Sequence, residues 1–265
     1  MKLGLVAGEK VLSFSPLIFQ RMHGLWYEVY TPDETSPLKA QIAAKGWIGF
    51  NVTTPYKEKI FPLLDEAAPE VSAIQAVNTV CVLPDGRWQG HNTDYWAARY
   101  LLGEFESVYG GWEAMLVLGT GGAARAVAYA WAELYPATPL YFVSRQAAHS
   151  KKLPSPSPYT LLSWEDLASY PFPDKLLLVQ ATPLGMFPEV HTLPPFPLER
   201  IQPGWVVWDL IYNPYPTRFL SEVRKRGAPT EGGMRFLGLQ AERSRELWNE
   251  LWLKAYKKKR GVVAS

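Results

Sequence analysis

Met115-Leu116-Val117-Leu118-Gly119-Thr120-Gly121-Gly122-Ala123-Ala124-Arg125-Ala126 is a short apolar strand that runs into glycines and leaves as a helix of small residues. That is the composition of a nucleotide-phosphate cradle. Gly119 turns the chain tightly, Gly121 lets the backbone approach a pyrophosphate, and Ala124 takes the small position where helix and strand pack closely. Thr120, Gly122 and Ala123 complete the cradle, because the N–H groups of a helix start have no partner within the helix and face an anion. A glycine turn also joins strand to helix in α/β proteins that bind nothing. The apolar strand before it and the helix after it favour dinucleotide binding here.

Outward from that loop, strands and helices alternate. Ahead of it, Lys2 to Val6, Trp26 to Tyr30 and Trp47 to Val52 read as strands. Pro16 to Met22 and Leu38 to Lys45 read as helices stopped at Gly24 and Gly46, and a further helix begins near Tyr56. Such repetition predicts βαβ units and a mostly parallel sheet. Asn78 to Val82 and Arg87 to His91 flank Pro84-Asp85-Gly86 as a hairpin. Thr93 to Leu102 reads as a connecting helix and Gly103 to Gly111 as a linker. Behind the loop, strands are predicted at Leu140 to Val143, Tyr159 to Leu162, Leu176 to Ala181 and Trp205 to Leu210, with loops at Leu153 to Pro158 and Pro194 to Pro197. A long amphipathic segment, Phe236 to Tyr256, carries Leu237, Leu247, Trp248 and Leu251 on a face that must be buried, and we expect it to pack back on the first domain. The predicted organisation is two α/β domains with a cleft between them, residues 1–95 with 236–265 in one and 96–235 in the other.

Bulk composition narrows the function. The 265 residues are 48% hydrophobic and 14% aromatic, enough to build large cores, and the net charge of +2 offers no field for nucleic acid or a membrane. A small-molecule partner follows. The basic run Lys257 to Arg260 fits the end of a solvated helix. Cys81 is the single cysteine, and neither it nor the four histidines show zinc-ligand spacing, so no disulfide framework and no metal are expected. Met1 to Gly8 is too short for a signal peptide and no apolar run approaches ~18 residues, which predicts a cytoplasmic, reducing setting.

Polar residues interrupt the apolar strands where they end, which is where open α/β sheets bind ligands. In Ser13-Phe14-Ser15-Pro16 the two serines project to one side of an extended segment, and Pro16 suits a first helical position. They can hold a carboxylate, or Ser15 can simply cap the helix. Asn51-Val52-Thr53-Thr54-Pro55-Tyr56-Lys57 ends a strand and puts a lysine on a first helical turn, where the helix dipole disfavours a cation. That suits a proton-transfer role, while a solvated surface lysine is the commoner outcome. Gly90-His91-Asn92-Thr93-Asp94 places a carboxylate at another helix start, either as a dipole partner or to hold Lys57. Asn78 adds an amide at a strand edge.

Together with Ala76-Val77-Asn78-Thr79, Ala181-Thr182-Pro183-Leu184-Gly185-Met186 and Gln240, these stretches occur in the order of, and closely resemble, the shikimate dehydrogenase family over nearly the whole chain. The resemblance implies an N-terminal substrate domain, a C-terminal Rossmann domain, and reversible NADP-linked reduction of 3-dehydroshikimate to shikimate in aromatic amino-acid biosynthesis. It implies that Ser13 and Ser15, with Tyr212, bind the substrate carboxylate, and that Thr53, Asn78 and Gln240 bind its hydroxyls. Lys57 would be the acid/base, with Asp94 hydrogen-bonded to it. Ser144, Arg145, Thr182, Leu210 and Gly233 would join the glycine loop in holding NADP, and the protein would be a monomer or homodimer.

Coenzyme choice has an independent argument. An NAD site places Asp or Glu at the end of the second strand for the ribose 2′-OH, whereas a 2′-phosphate wants arginine. After Val143 the chain has Ser144 and Arg145, with Lys151 and Lys152 behind and no acid in that span. NADP is therefore favoured. Gln146 and His149 depart from the family's pattern, as do Leu12 before the first serine, Gln180 before Ala181, Tyr95 after the aspartate, and the bulky Met234-Arg235-Phe236 after Gly233. These bear on affinity and coenzyme preference. The competing readings are an NAD-linked quinate/shikimate dehydrogenase, a non-catalytic sensor on the same fold, and a methylenetetrahydrofolate-type dehydrogenase. The lack of any Tyr-x-x-x-Lys argues against a short-chain dehydrogenase.

Overall fold

The computed structural model describes residues 2–9, 13–145, 153–155 and 157–259, without the side chains of 255–259. Leu12, Gln146, His149, Lys151, Lys152 and Arg260, and the side chains of Lys257 to Lys259, lie outside the described residues. The chain divides into two units, residues 1–93 with 238–265, and residues 94–237.

The first unit is built on six strands, β1 (Lys2–Val6), β2 (Trp26–Tyr30), β3 (Gly49–Val52), β4 (Glu66–Ala67), β5 (Thr79–Val82) and β6 (Trp88–His91). Their order is β2-β1-β3-β5-β6-β4. β1 runs parallel to β2 and β3, because the connections are long enough to carry a helix back across the sheet. β5 is antiparallel to both β3 and β6, because a tight turn closed by Leu83 N–H donating to the Arg87 carbonyl (2.8 Å) joins it to β6. Gly86, at φ +87, supplies the left-handed residue that turn needs. The short helices α1 (Ser15–Leu17), α2 (Leu38–Ala43), α3 (Lys57–Ile60) and α4 (Pro69–Ile74) lie between strands. The predicted helix over Pro16 to Met22 is α-helical only at its start, and Ile18–Met22 forms a wider π turn.

The second unit begins with α5 (Thr93–Tyr109), which replaces the expected helix-plus-linker. Gly103 does not stop it, because at that position a Cβ would meet nothing and the glycine costs only propensity, ~1 kcal/mol. Beyond it Phe105 stays buried and packs edge-on to Trp208 at 5.3 Å. The true stop is Gly110, left-handed at φ +84, whose N–H reaches back to the Glu106 carbonyl. β7 (Ala114–Leu118), α6 (Gly122–Leu134), β8 (Leu140–Val143), β9 (Thr160–Leu162), β10 (Leu176–Gln180), β11 (Val206–Asp209), α7 (Arg218–Arg224) and β12 (Thr230–Glu231) follow. All the strands are parallel, in the order β12-β11-β10-β7-β8-β9. Numbered within the unit that is 3-2-1-4-5-6 read from β9, the doubly wound dinucleotide-binding order, with its reversal between β7 and β10. No residue of β7 or β10 is exposed, as a sheet covered on both faces requires.

The last helix, α8 (Met234–Lys259), extends the predicted amphipathic segment. Trp248 is 1% exposed within a cluster of Leu3, Leu5, Phe19 and Tyr27, and its indole N–H donates to the Val80 carbonyl at 3.0 Å. A Cβ on Gly49 would overlap that indole, so the glycine in β3 is what lets the helix approach the sheet. Among the described residues, no helix is long and apolar enough to cross a membrane.

Candidate active site

The cradle in the second unit has the geometry its sequence predicts. β7 ends at Leu118, and Gly119 follows at φ +108, a conformation side chains rarely adopt. A Cβ there would press on Thr182 Cγ2 at 3.2 Å and the Ala181 carbonyl at 3.3 Å, so the loops after β7 and β10 touch across the reversal of strand order. Gly121 is the N-cap of α6 and offers no side chain to its first N–H groups. Gly119, Thr120, Gly121, Gly122 and Ala123 therefore form one loop, beside Thr182.

The ends of the neighbouring strands complete that edge. Ser144 and Arg145 follow β8, with Arg145 exposed. Gln180 ends β10 fully buried, and its amide is wholly engaged. Its oxygen accepts from Thr182 N–H and Thr182 Oγ1, both at 2.8 Å, while its nitrogen donates to the Thr182 and Leu184 carbonyls. Asp209 ends β11, in register with Gln180. It accepts from Ile211 N–H at 3.0 Å and from Thr217 Oγ1 at 2.7 Å, so it ties both ends of the loop that carries Leu210 and Tyr212. Burial pushes the Asp209 carboxyl up to about 7, against the pull of those two donors. Gly233 sits against this loop, with its N–H on the Ile211 carbonyl, and a Cβ on it would overlap the Leu210 carbonyl.

In the first unit the candidate substrate residues fall into two groups. Ser15 does not cap α1: the N-cap is Phe14, with no side-chain cap. Instead Ser13 Oγ accepts from Ser15 N–H and donates to Ser15 Oγ, each at 3.1 Å, so the hydroxyls stand side by side. The second group gathers around Thr93. Asn78 Oδ1 accepts from Thr93 N–H at 2.7 Å, Asn78 Nδ2 donates to Thr93 Oγ1 at 3.0 Å, and Thr93 Oγ1 reaches Gln240 Oε1 at 3.4 Å. Three chain-distant segments thus place Asn78 and Gln240 on either side of one hydroxyl. Thr53 and Lys57 follow β3, Thr53 held by its N–H on the Val6 carbonyl and Lys57 first in α3. That helix is a single turn, so the dipole at its start is small. Asp94, 4% exposed, lies in the first turn of α5.

The profile of the shikimate dehydrogenase substrate binding domain matches residues 10–80. The chain is 34% identical over 252 residues to shikimate dehydrogenase (NADP(+)) of Desulforamulus reducens, covering 89% of this chain and 85% of that protein. The chain belongs to the shikimate dehydrogenase family. Among solved structures, shikimate dehydrogenase 1 from Peptoclostridium difficile superposes with a TM-score of 0.79 at 31% identity, covering 94% of this chain and 92% of that one. Shikimate 5-dehydrogenase from Thermus thermophilus, solved in complex with NADP(H) and shikimate, superposes with a TM-score of 0.75 at 30% identity, covering 94% and 93%.

Within this member of the shikimate dehydrogenase family, sequence reasoning passed over the residues that hold the others. Asn51 is buried in β3, where its amide nitrogen lies 3.0 Å from both Thr79 Oγ1 and Ser244 Oγ, and its oxygen accepts from the Tyr27 hydroxyl at 2.7 Å. The Tyr27 hydroxyl in turn hydrogen-bonds Ser15. The available signal was an amide inside an all-buried apolar strand, since a buried polar group must be paired. α7 and its N-cap Thr217, which accepts from Leu220 N–H, were legible as Thr217 ahead of Phe219, Leu220 and Val223.

Proposed function

We propose that this chain is an NADP-dependent dehydrogenase that interconverts 3-dehydroshikimate and shikimate, with substrate held by the first unit and coenzyme by the second. The observation that carries the reading is the pairing of Asn78 and Gln240 around Thr93, in a unit that also holds the serine pair. A polyhydroxylated carboxylate needs hydroxyl donors for its anion and amides for its ring oxygens. Ser13 and Ser15, joined by Tyr212, supply the first; Thr53, Asn78 and Gln240 supply the second.

The glycine loop, with Thr182 and the Leu210–Gly233 contact, fits a dinucleotide, and Ser144 and Arg145 suit its 2′-phosphate. Bound NADPH supplies the hydride. The chain's own task is position and one proton. In the direction of reduction Lys57 gives a proton to the oxygen that becomes the hydroxyl, and in oxidation it takes it back, with Asp94 as the carboxylate that holds it.

The test is coenzyme reduction followed by absorbance, with shikimate or quinate each paired with NADP or NAD. Turnover confined to shikimate with NADP is expected. Preference for quinate or NAD would move the chain to the quinate/shikimate branch, and binding without turnover in every pair would make it a sensor.

A further inference from the structure

The last residue of β10 turns its side chain onto the loop that follows it, and every atom of that contact has a settled role. A backbone N–H can only donate, so Thr182 N–H fixes Oε1 as the Gln180 atom that faces it, at 2.8 Å. Backbone carbonyls can only accept, so those of Thr182 and Leu184 fix Nε2 at the other end, at 3.2 and 3.0 Å. The Thr182 hydroxyl, 2.8 Å from Oε1, must then donate to it. Its oxygen receives Leu184 N–H at 3.3 Å. Gln180 is 0% exposed, so water does not compete for its bonds.

A threonine whose hydroxyl is drawn inward presents its methyl elsewhere. Thr182 Cγ2 lies 3.2 Å from the point where a Cβ on Gly119 would stand, and the Ala181 carbonyl oxygen 3.3 Å from the same point. The methyl therefore packs between the loops after β7 and β10, at the reversal of strand order, where a doubly wound sheet takes its ligand. With its one hydrogen spent on Gln180, the hydroxyl has none to give a phosphate oxygen there.

We propose that Gln180 is a positioning residue for the coenzyme: it draws the Thr182 hydroxyl into the end of β10 and so sets the Thr182 methyl and the Ala181 carbonyl against Gly119. Thr182 then serves NADP by packing and not through its hydroxyl. Gln180 touches no coenzyme in this scheme; it acts through Thr182. A hydrocarbon at position 180 would leave Thr182 N–H and the Thr182 and Leu184 carbonyls unpaired at a buried strand end. The loop would shift to pair them, and the methyl would leave Gly119.

The inference rests on the proposed reading of the glycine loop as the coenzyme cradle, and the experiment separates the two. NADPH affinity is measured by fluorescence titration and shikimate affinity by calorimetry, with thermal midpoints, for wild type, Gln180→Leu, Thr182→Ser and Thr182→Val. Thr182→Ser keeps the hydroxyl for Gln180 and removes the methyl; Thr182→Val keeps a methyl and removes the hydroxyl. We expect the Kd for NADPH to rise about tenfold in Gln180→Leu, with the Kd for shikimate unchanged. It should rise about fivefold in Thr182→Ser and only about twofold in Thr182→Val. Wild-type NADPH affinity in Gln180→Leu, an equal loss for both ligands, or a weaker Thr182→Val than Thr182→Ser would overturn the positioning role alone. A wild type that binds no NADPH would overturn the cradle as well. Should Gln180→Leu not fold, the order of the two Thr182 variants carries the test, because a hydroxyl that serves the coenzyme directly reverses it.

Discussion

At the scale of single residues, two side chains make opposite demands of their surroundings. Lys57 is proposed to move a proton, so Lys57→Ala should lower turnover by about 10² or more while the KM for shikimate changes little. A large rise in KM with turnover intact would make it a binding group instead. Asp209 is asked to hold a loop, and burial raises its carboxyl to about 7, above the unfolded value near 4. Between those values the folded state binds more protons than the unfolded state, so stability must fall as pH rises from about 4 to 7, and the penalty is complete above that window. Asp209→Asn removes the titration. Denaturant unfolding at several pH values should show the wild type losing up to a few kcal/mol across the window relative to the variant. Parallel pH profiles for the two proteins would refute this. Neither the raised carboxyl nor the Gln180 clamp could be read from the chain, because both depend on a polar strand end being fully buried by the rest of the fold.

At the scale of elements, the outcome of reading depended on whether the signal was local. β1, β2 and β8 sit where the apolar pattern puts them, because period and flanking turns decide a strand without help from distant residues. α5 was misread because a glycine inside a helix looks like a stop, and only the packing of Phe105 on Trp208 shows why the helix continues. β4 and β12, of two residues each, carry too few side chains for any pattern, and exist because a neighbouring strand edge accepts them. The loop between β7 and α6 is the opposite case, since its glycines state their own geometry. Gly119→Ala must place a Cβ at φ +108 and within 3.3 Å of the Ala181 carbonyl. We expect a loss of about 1–3 kcal/mol in stability and at least a tenfold rise in the KM for NADP, with the KM for shikimate little changed. An alanine variant with wild-type coenzyme affinity would show that the loop does not hold the pyrophosphate.

At the scale of the molecule, the proposed labour divides along the chain's two units, and that division is measurable without moving either. Residues that would face substrate come from 13–15, 53–57, 78 and 240, and those that would face coenzyme from 119–123, 144–145, 182, 210 and 233. Ligand that binds only the folded state adds stability by mass action, ~2.7 kcal/mol at a hundredfold excess over Kd. Where that stabilisation suppresses local opening, amide exchange slows nearest the ligand first. Hydrogen exchange with NADP alone should therefore protect the loop after β7 and the first turn of α6 before any part of the first sheet. Shikimate alone should protect the Ser13–Ser15 segment and the start of α3, and the end of β5 should not respond to NADP. Tyr212 makes the sharpest point of this map. It lies in the second unit on the loop tied by Asp209, yet it is proposed for the substrate carboxylate, so on that proposal its loop should respond to both ligands. Protection there by NADP but not by shikimate would remove Tyr212 from the substrate set and leave the carboxylate to the two serines.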